Sequence, residues 1–351
     1  MQEYLEIPYS QCLNEQGEIV GKLPEFAKNA EEAIKLYQLL VLLRTFDTKA
    51  VALQRTGKIG TYAGILGQEA VSVGLGAAMQ MDDVLCPAYR EYGAMIQRGG
   101  KLEDILLYWG GDERGSDFQH PEDFPISVPI ASQCLHAAGV AIAFKHRKQK
   151  RAAVAVVGDG GTSKGDFYEA INLAGEWRLP VVFVINNNQW AISLPRTAQT
   201  AAKTLAQKAV AAGFSGIQVD GNDVIAVRDV CAKALKNARE NNEPMIIEAL
   251  TYRLCDHTTA DDAKRYRENE ELQNAKAKEP LIRLRQYLTQ QNLWNEEEEK
   301  KLLKSCSEKV ELAVKNFQNT PARAPETIFD KLYHTLPKAY AEQFNAIKGA
   351  K

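Results

Sequence analysis

The stretch that most constrains the fold spans residues 154–193, where two apolar runs flank a segment with helical periodicity. The first run, Val154 to Val157, leads into a turn of small and acidic residues. The second run, Val181 to Ile185, stops at three asparagines. Between the runs, apolar residues recur at three-and-four spacing, which predicts an amphipathic helix. Strand, helix and strand in this order predict a βαβ unit, whose crossover makes the two strands parallel.

Polar residues follow both of these predicted strands. Asp159, Gly160 and Gly161 come after the first strand, and Asn186 to Asn188 come after the second. The carboxyl ends of parallel strands meet at one edge of a sheet, where ligands bind in open α/β folds. Carboxylate and amide oxygens suit Mg²⁺ or Ca²⁺, while glycines and a helix N-terminus suit a phosphate group. We therefore expect a divalent metal held between protein oxygens and a diphosphate.

The spacing GDG, 26 residues and then NN resembles the thiamine diphosphate signature of transketolase-like enzymes. Over residues 158–193 the chain is similar to the alpha subunits of 2-oxo acid dehydrogenases, nearest the pyruvate dehydrogenase form of bacteria. The similarity runs from about residue 30 to the C-terminal helices. It implies an α/β fold that binds thiamine diphosphate, with a parallel sheet, helices on both faces and a C-terminal helical extension. It also implies thiamine diphosphate and Mg²⁺ as cofactors.

By this resemblance, the metal ligands are Asp159, Asn188 and the backbone carbonyl of Trp190. The residues expected to hold the cofactor come from several segments, namely Tyr89, Arg90, Val128, Ile130, Asp159, Gly160, Gly161, Asn186, Asn188 and His257. Among them, Tyr89 and Arg90 match a pair that binds the diphosphate, a task for which the guanidinium fork is suited.

The segment around Ile130 carries two further expectations. Ile130 matches a bulky apolar residue that packs under the cofactor and bends it. Some relatives hold a potassium ion nearby, at positions that in this chain are Ser127, Pro129, Ser132 and Gln133. Val128 stands where those relatives often have a serine, so the sequence leaves this ion site open.

His257 lies in the polar loop 255–267, which follows the predicted strand Met245–Leu250. Polar loops at the carboxyl end of a strand are where function concentrates, and the resemblance matches His257 to a histidine that faces the cofactor. Because imidazole can donate a proton near neutral pH, we assign it to proton donation or stabilisation at the reacting oxygen or the lipoyl sulfur. His120 is a second candidate.

The resemblance implies oxidative decarboxylation of a small 2-oxo acid, most closely pyruvate, with transfer of the acyl group to the lipoyl group of a dihydrolipoyl acyltransferase. In this family the carboxylate that activates the cofactor ring lies on a separate beta subunit, and this chain has one GDG…NN domain. We therefore expect an α₂β₂ heterotetramer with the cofactor at the α–β interface. Branched-chain oxo acids and acetoin are alternative substrates, and phosphorylation of Thr258 or Thr259 is left open.

Composition argues against several other classes of protein. The net charge of −2, with acidic and basic residues nearly equal in number, does not indicate binding to nucleic acid or to a membrane surface. No apolar run approaches the roughly 20 residues of a membrane span. The start MQEYLEIPYS lacks the features of a secretory signal or a transit peptide. The six cysteines include no CxxC pair and are typical of reduced thiols. We expect a cytoplasmic bacterial protein.

Three segments are predicted along the chain. Residues 1–30 form an N-terminal arm, residues 31–278 form the thiamine diphosphate-binding α/β domain, and residues 279–351 form a C-terminal helical region packed on the same domain. Within that region, helical patterns are predicted at Pro280–Tyr287, Glu296–Ala313 and Pro325–Phe344.

Three other interpretations fit parts of the sequence. Ser163 lies in a GxSxG match, and Asp220 and His257 follow in the order of a hydrolase triad. However, the serine stands five residues beyond the strand end, too far for a tight nucleophile turn. The glycines of the same turn miss the GxGxxG spacing of dinucleotide sites. A non-catalytic scaffold is disfavoured because Asp159, Asn188 and His257 are all present.

Overall fold

The computed structural model describes residues 6–117, 120, 122–330 and 332–348. Residues 1–5 of the predicted arm, and residues 331 and 349–351 of the predicted C-terminal region, lie outside the described residues. The strands are β1 Tyr9–Ser10, β2 Val84–Cys86, β3 Ala153–Gly158, β4 Val181–Asn187, β5 Trp190–Ala191, β6 Leu194–Pro195, β7 Ser215–Asp220 and β8 Met245–Leu250. The helices are α1 Ala30–Arg55, α2 Glu69–Ala78, α3 Tyr92–Gln97, α4 Leu102–Trp109, α5 Ser132–His146, α6 Gly165–Glu176, α7 Lys208–Ala211, α8 Val224–Asn241, α9 Asn269–Lys276, α10 Pro280–Gln290, α11 Glu296–Asn319 and α12 Ala341–Ile347.

Within the described residues, six strands form one sheet in the order β1-β7-β8-β4-β3-β2, and every neighbouring pair is parallel. β3 and β4 are adjacent, α6 connects them, and Gly158 lies opposite Asn186 at their carboxyl ends. The βαβ unit predicted from residues 154–193 is confirmed. A separate hairpin of β5 and β6 follows β4 directly.

Helices cover both faces of this sheet. Strand side chains alternate between the two faces, so Val154 and Val156 of β3 join the hydrophobic cluster that includes residues of α1, α2 and α8. Val157 joins the cluster that includes residues of α5 and α6. Burial on both faces explains why β3 and β4 are continuous apolar runs rather than alternating ones. The predicted α/β architecture with helices on both faces is confirmed.

The described part of the N-terminal segment is fastened to the sheet and to α8. β1 extends the sheet beside β7, and the backbone N–H groups of Cys12 and Leu13 donate to Asp223 Oδ2 at 2.7 and 2.6 Å. Asp223 Oδ1 accepts two N–H groups from the first turn of α8 at 3.1 Å. One buried carboxylate therefore joins this segment to a helix N-terminus. The boundary of the arm at residue 30 stays a prediction.

The C-terminal helices α10 and α11 pack against α1 in the larger hydrophobic cluster, where Tyr287 and Val310 are buried. The predicted helix Pro325–Phe344 is wrong, because this stretch contains the short 3-10 turns Pro325–Phe329 and Lys338–Tyr340 before α12 begins. Pro337 explains the break, since it has no N–H to donate and restricts the residue before it. Among the described residues, no helix has the length and apolar character that crossing a membrane requires.

Asp223 should be essential to the attachment of the N-terminal segment. Asp223→Ala removes a helix cap, worth about 1 kcal/mol, and leaves the buried N–H groups of Cys12 and Leu13 without their acceptor, at about 1–3 kcal/mol. We expect the free energy of unfolding to fall by about 2–4 kcal/mol in denaturant titrations. Glu240→Ala, at an exposed position in the same helix, should stay within about 0.5 kcal/mol of the parent. Equal stability of the two variants would contradict this role.

Candidate functional site

A cavity of about 290 Å³ lies at the carboxyl ends of β3 and β4. The predicted site residues that line it are Tyr89, Arg90, Ile130, Asp159, Gly160, Gly161, Asn186, Asn188, Trp190 and His257. Val128 does not line it, and this residue is 55% exposed. The structure therefore brings together residues from the loop after β2, from the turns that follow β3 and β4, and from the 255–267 loop. The individual roles assigned to them stay predictions.

The turn after β3 holds its glycines close to other parts of the chain. Residues Asp159–Ser163 form a 3-10 turn that leads into α6. A Cβ at Gly160 would come within 2.5 Å of Ala191 Cβ, and a Cβ at Gly161 within 2.5 Å of Val157 Cγ2. The first N–H groups of a helical turn have no acceptor inside the turn. Only glycine fits here, and the turn presents backbone rather than side chains to the cavity.

Asp159 is a buried carboxylate with one side-chain partner. It is 2% exposed, and Gln199 Nε2 donates to its Oδ2 at 2.6 Å. Burial raises the pKa of Asp159, which the hydrogen bond from Gln199 and the nearby arginines partly oppose. A cation beside the carboxylate would favour its ionised form.

The asparagines that end β4 are tied to a glutamine from a distant segment. Asn186 Nδ2 and Asn188 Nδ2 donate to Gln68 Oε1 at 3.0 and 3.1 Å. Asn188 Oδ1 accepts a hydrogen bond from the Trp190 N–H at 3.3 Å, and the Trp190 carbonyl accepts one from Arg253 Nη1 at 3.2 Å. A carbonyl oxygen has two lone pairs, so the Asn188 and Trp190 oxygens each retain capacity for a metal.

Arg90 is buried at the cavity wall. Its guanidinium donates to the carbonyl of Gly64 and to the carbonyl of His257, the latter at 2.6 Å, and lies over the ring of Tyr89 at 5.1 Å. Arg253, fully buried behind the cavity, donates to the carbonyl of Ile192 at 2.7 Å. Among the described residues, every hydrogen-bond partner of the two guanidinium groups is neutral, so neither forms a direct ion pair, although the carboxyl groups of Glu91, Asp159 and Asp261 lie within electrostatic range.

His257 lies between these two arginines. Arg90 Nη2 and Arg253 Nη1 each lie 3.3 Å from His257 Nδ1. A guanidinium only donates, so Nδ1 must accept and the ring proton is assigned to Nε2. Burial and the two arginines lower the pKa of His257 to about 4, against a smaller opposing effect of Asp261. The ring is therefore neutral near pH 7 and offers an N–H donor instead of an acidic imidazolium.

The loop that carries His257 is held by a network that sequence reasoning missed. Asp261 accepts hydrogen bonds from the His257 backbone N–H, at 2.9 Å, and from the Tyr266 hydroxyl, while Arg253 Nη2 donates to Tyr266 Oη at 2.9 Å. Thr259 is 8% exposed, and its Oγ1 accepts the Tyr62 N–H at 3.0 Å. Thr259 is thus buried and fastens the loop to the backbone at Tyr62, while phosphorylation of Thr258 or Thr259 stays open.

Other candidate residues lie away from the cavity. His120 Nδ1 lies 3.6 Å from Asp123 Oδ1, in an ion-pair cluster with Arg98. Ser163 is exposed, and among the described residues no hydrogen bond joins it to His257. Asp220 pairs with Arg283 at 2.6 Å instead. The hydrolase triad is therefore not assembled.

The segment considered for potassium forms a compact hydrogen-bonded group. Ser127 Oγ and Ser132 Oγ lie 2.8 Å apart, and Ser132 Oγ donates to the carbonyl of Pro129 at 2.8 Å. Gln133 Nε2 donates to the Val156 carbonyl at 2.7 Å, and its Oε1 is buried without a partner among the described residues. An unpartnered buried acceptor suits a cation, but the ion site stays a prediction.

Gln68, Glu91 and Gln199 are site residues that sequence reasoning did not assign. Gln68 and Glu91 line the cavity, and burial raises the pKa of Glu91 to about 7. Glu91 adjoins the predicted Tyr89-Arg90 pair, so its position along the chain was the only available signal, and no pattern singled out Gln68. Gln199 carried no signal, because its contact with Asp159 exists only in the folded chain.

Comparison with known proteins agrees with this geometry. The sequence model of the dehydrogenase E1 component family matches residues 37–326. The chain is 38% identical over 344 residues to the pyruvate dehydrogenase E1 component subunit alpha of Staphylococcus epidermidis, covering 96% of this chain and 92% of that protein. The protein of the same name from Staphylococcus aureus has the same identity and coverage. This chain therefore belongs to the dehydrogenase E1 component family.

Proposed function

We propose that this chain is the alpha subunit of a pyruvate dehydrogenase E1 component. It takes part in the thiamine diphosphate- and Mg²⁺-dependent oxidative decarboxylation of pyruvate, with transfer of the acetyl group to the lipoyl group of a dihydrolipoyl acyltransferase. The observation that carries the proposal is the single cavity in which Asp159, Asn188 and Arg90 meet. The names of the relatives favour pyruvate over branched-chain oxo acids or acetoin. A cytoplasmic location in a bacterium stays a prediction.

The oxygen donors of the cavity fit magnesium held jointly with a diphosphate. Asp159 offers a carboxylate, Asn188 an amide oxygen and Trp190 a carbonyl. Among the described residues, no cluster of three or more histidine, cysteine, aspartate or glutamate side chains could hold a metal by itself. Magnesium commonly binds through one or two carboxylates plus phosphate oxygens and waters. A site with one carboxylate therefore suits this ion only when a phosphate ligand is present.

The positive charge of the cavity wall fits a diphosphate. Buried charges are normally paired, because leaving water is unfavourable for an isolated ion. Arg90 lines the cavity, and among the described residues its guanidinium has no carboxylate as a hydrogen-bond partner, so a diphosphate bound there would form the direct ion pair that Arg90 lacks. The backbone of Gly160 and Gly161 adds N–H donors at the start of a helical turn.

When bound, thiamine diphosphate would supply an electron sink for cleavage of the bond to the departing carboxylate. The residues of this chain would bind the cofactor with its metal and orient the reacting groups. Asp159 and Asn188 hold the metal, Ile130 offers an apolar wall, and His257 offers its neutral Nε2–H to an oxyanion or to the lipoyl sulfur. Because the pKa of His257 is about 4, stabilisation by hydrogen bonding suits it better than proton transfer at neutral pH.

Exposed apolar side chains near the cavity fit a protein partner. Ile130 and Ile192, which line the cavity, are 44% and 57% exposed, and Val128 and Leu194 add further exposed apolar surface nearby. Contiguous exposed apolar surface marks interaction sites. We assign this surface to a beta subunit in an α₂β₂ heterotetramer, with the cofactor at the interface.

The proposed function is tested with the chain co-expressed with a beta subunit from the same organism. The assembled protein should release carbon dioxide from pyruvate only with thiamine diphosphate and Mg²⁺ present, and should prefer pyruvate over branched-chain oxo acids and acetoin. The chain purified alone should be inactive. Activity of the chain alone would contradict the need for a beta subunit. A preference for another substrate would contradict the choice of pyruvate as the 2-oxo acid that is decarboxylated.

Removing the charge of Asp159 should abolish cofactor binding while preserving the shape of the site. Asp159→Asn keeps the side-chain size but weakens the metal ligand, so the Kd for thiamine diphosphate with Mg²⁺ should rise by at least about 100-fold, since even outer partners of metal ligands contribute 10–100-fold. Isothermal titration calorimetry measures this. Asp166→Asn, in the first turn of α6 and outside the cavity, is the matched control and should leave the Kd unchanged.

His257 should stay neutral between pH 5.5 and 8. Its folded pKa of about 4 lies below the roughly 6.5 of an unfolded histidine. The unfolded chain therefore binds the proton first, and this group lowers the free energy of unfolding as pH falls from about 6.5 towards 4. NMR of the ¹³C-histidine-labelled chain, with His257→Gln to assign the signal, measures the pKa. Arg253→Gln should raise it, whereas titration of the parent near pH 6.5 would disprove the arrangement.

A further inference from the structure

Gln68 reaches the metal-binding edge of the sheet from a different part of the chain. It precedes the first residue of α2, follows Gly67 with its φ of +88°, and is 2% exposed. Its side chain lines the same cavity as Asp159 and Asn188, although it lies 120 residues from Asn188 in sequence. The fold therefore buries a neutral amide beside the predicted ligands.

The oxygen of Gln68 fixes how the two asparagine amides are turned. Its Oε1 accepts from Asn186 Nδ2 at 3.0 Å and from Asn188 Nδ2 at 3.1 Å, which uses both of its lone pairs. Each asparagine nitrogen is thereby held towards Gln68, and each oxygen faces elsewhere. Asn186 Oδ1 accepts from the Thr251 hydroxyl at 3.0 Å, while Asn188 Oδ1 accepts, within the described part of the chain, only the 3.3 Å bond from the Trp190 N–H.

The nitrogen of Gln68 is left without a partner. Its Nε2 is buried and makes no hydrogen bond among the described residues, at a cost of about 1–3 kcal/mol. Turning the Gln68 amide over does not help, because its NH₂ group would then face the NH₂ groups of Asn186 and Asn188. The three amides therefore hold one another in one arrangement, which the Trp190 N–H favours by donating to Asn188 Oδ1, and the chain tolerates an unpartnered donor to keep it.

We propose that Gln68 is a positioning residue that aims the Asn188 amide oxygen at the metal. This rests on the proposed function, because it assumes that Asn188 is a metal ligand. An asparagine amide can turn by 180° and present NH₂ in place of oxygen, and an NH₂ group cannot ligate Mg²⁺. Gln68 opposes that turn, because only the observed orientation gives its Oε1 two donors. Outer partners that orient a ligand in this way typically change metal affinity by 10–100-fold.

Two substitutions test the hydrogen-bond acceptor of Gln68 separately from the space that its side chain fills. Gln68→Met keeps the length of the side chain but removes the acceptor, whereas Gln68→Glu retains an acceptor for both asparagines. Gln97→Met is the matched control, because the Gln97 amide also bonds to α2, at the Val73 carbonyl, but does not line the cavity. Each variant is purified with the beta subunit, and calorimetry measures the Kd of Mg²⁺ at saturating thiamine diphosphate.

We expect Gln68→Met to raise the Kd of Mg²⁺ by about 10–100-fold, Gln68→Glu by clearly less, and Gln97→Met not at all. The melting temperature without cofactor should be similar for Gln68→Met and Gln97→Met, because the effect is on the ligand and not on the fold. An unchanged Kd in Gln68→Met, or equal losses in the Met and Glu variants, would overturn the proposal. If the parent protein itself fails to bind thiamine diphosphate with Mg²⁺, the proposed function fails first.

Discussion

The pairing of β3 with β4 is the interaction on which the site depends. Their register places Gly158 opposite Asn186, so the turn that carries Asp159 and the turn that carries Asn188 leave the sheet at the same level. A slip of two residues would separate them by about 7 Å along the strands, at roughly 3.3 Å per residue. The apolar side chains of both strands prevent that slip, because they are locked into the hydrophobic clusters above and below the sheet. Packing far from the polar edge thus sets the geometry of the edge.

The sequence predicts those parts of the site that lie next to their strands along the chain. Asp159 and Asn188 follow continuous apolar runs directly, and the rule that ligands bind at the carboxyl ends of parallel strands places them together. Gln68, Gln199 and Arg253 are different, because each joins the site through a contact between segments that are distant in sequence. The spacing of residue types along the sequence does not predict contacts between such distant segments. His257 was identified by its place in a polar loop after a strand together with the resemblance, and its tautomer depends on two arginines from different segments.

The mistaken prediction of a helix has an equally local cause. The stretch Pro325–Phe344 has a helical pattern of apolar residues, but Pro337 interrupts the hydrogen bonds that a continuous helix needs. Val128 does not line the cavity although Ile130, two residues further on, does, and its contact with the cofactor stays a prediction. A pattern of residue types indicates which segment approaches the site, whereas backbone direction decides which of its side chains reach it.

The cavity brings together buried polar groups that lack a direct partner of opposite charge. Elsewhere in the described part of the chain, some buried guanidinium groups pair with carboxylates, as Arg283 does with Asp220 at 2.6 Å, whereas Arg196 is bonded to the carbonyls of Thr200 and Ala202. At the cavity, Arg90 and Arg253 are held only by neutral groups, and the unpartnered amide atoms of Gln68 and Gln133 lie at the same edge. A fold selected for stability alone would pair these groups, because unpaired buried polarity is unfavourable. Their concentration around one cavity, together with the exposed Ile130 and Ile192, indicates an edge completed by an anion on one side and by a protein surface on the other. Since both would stabilise the same edge, binding of either should favour binding of the other.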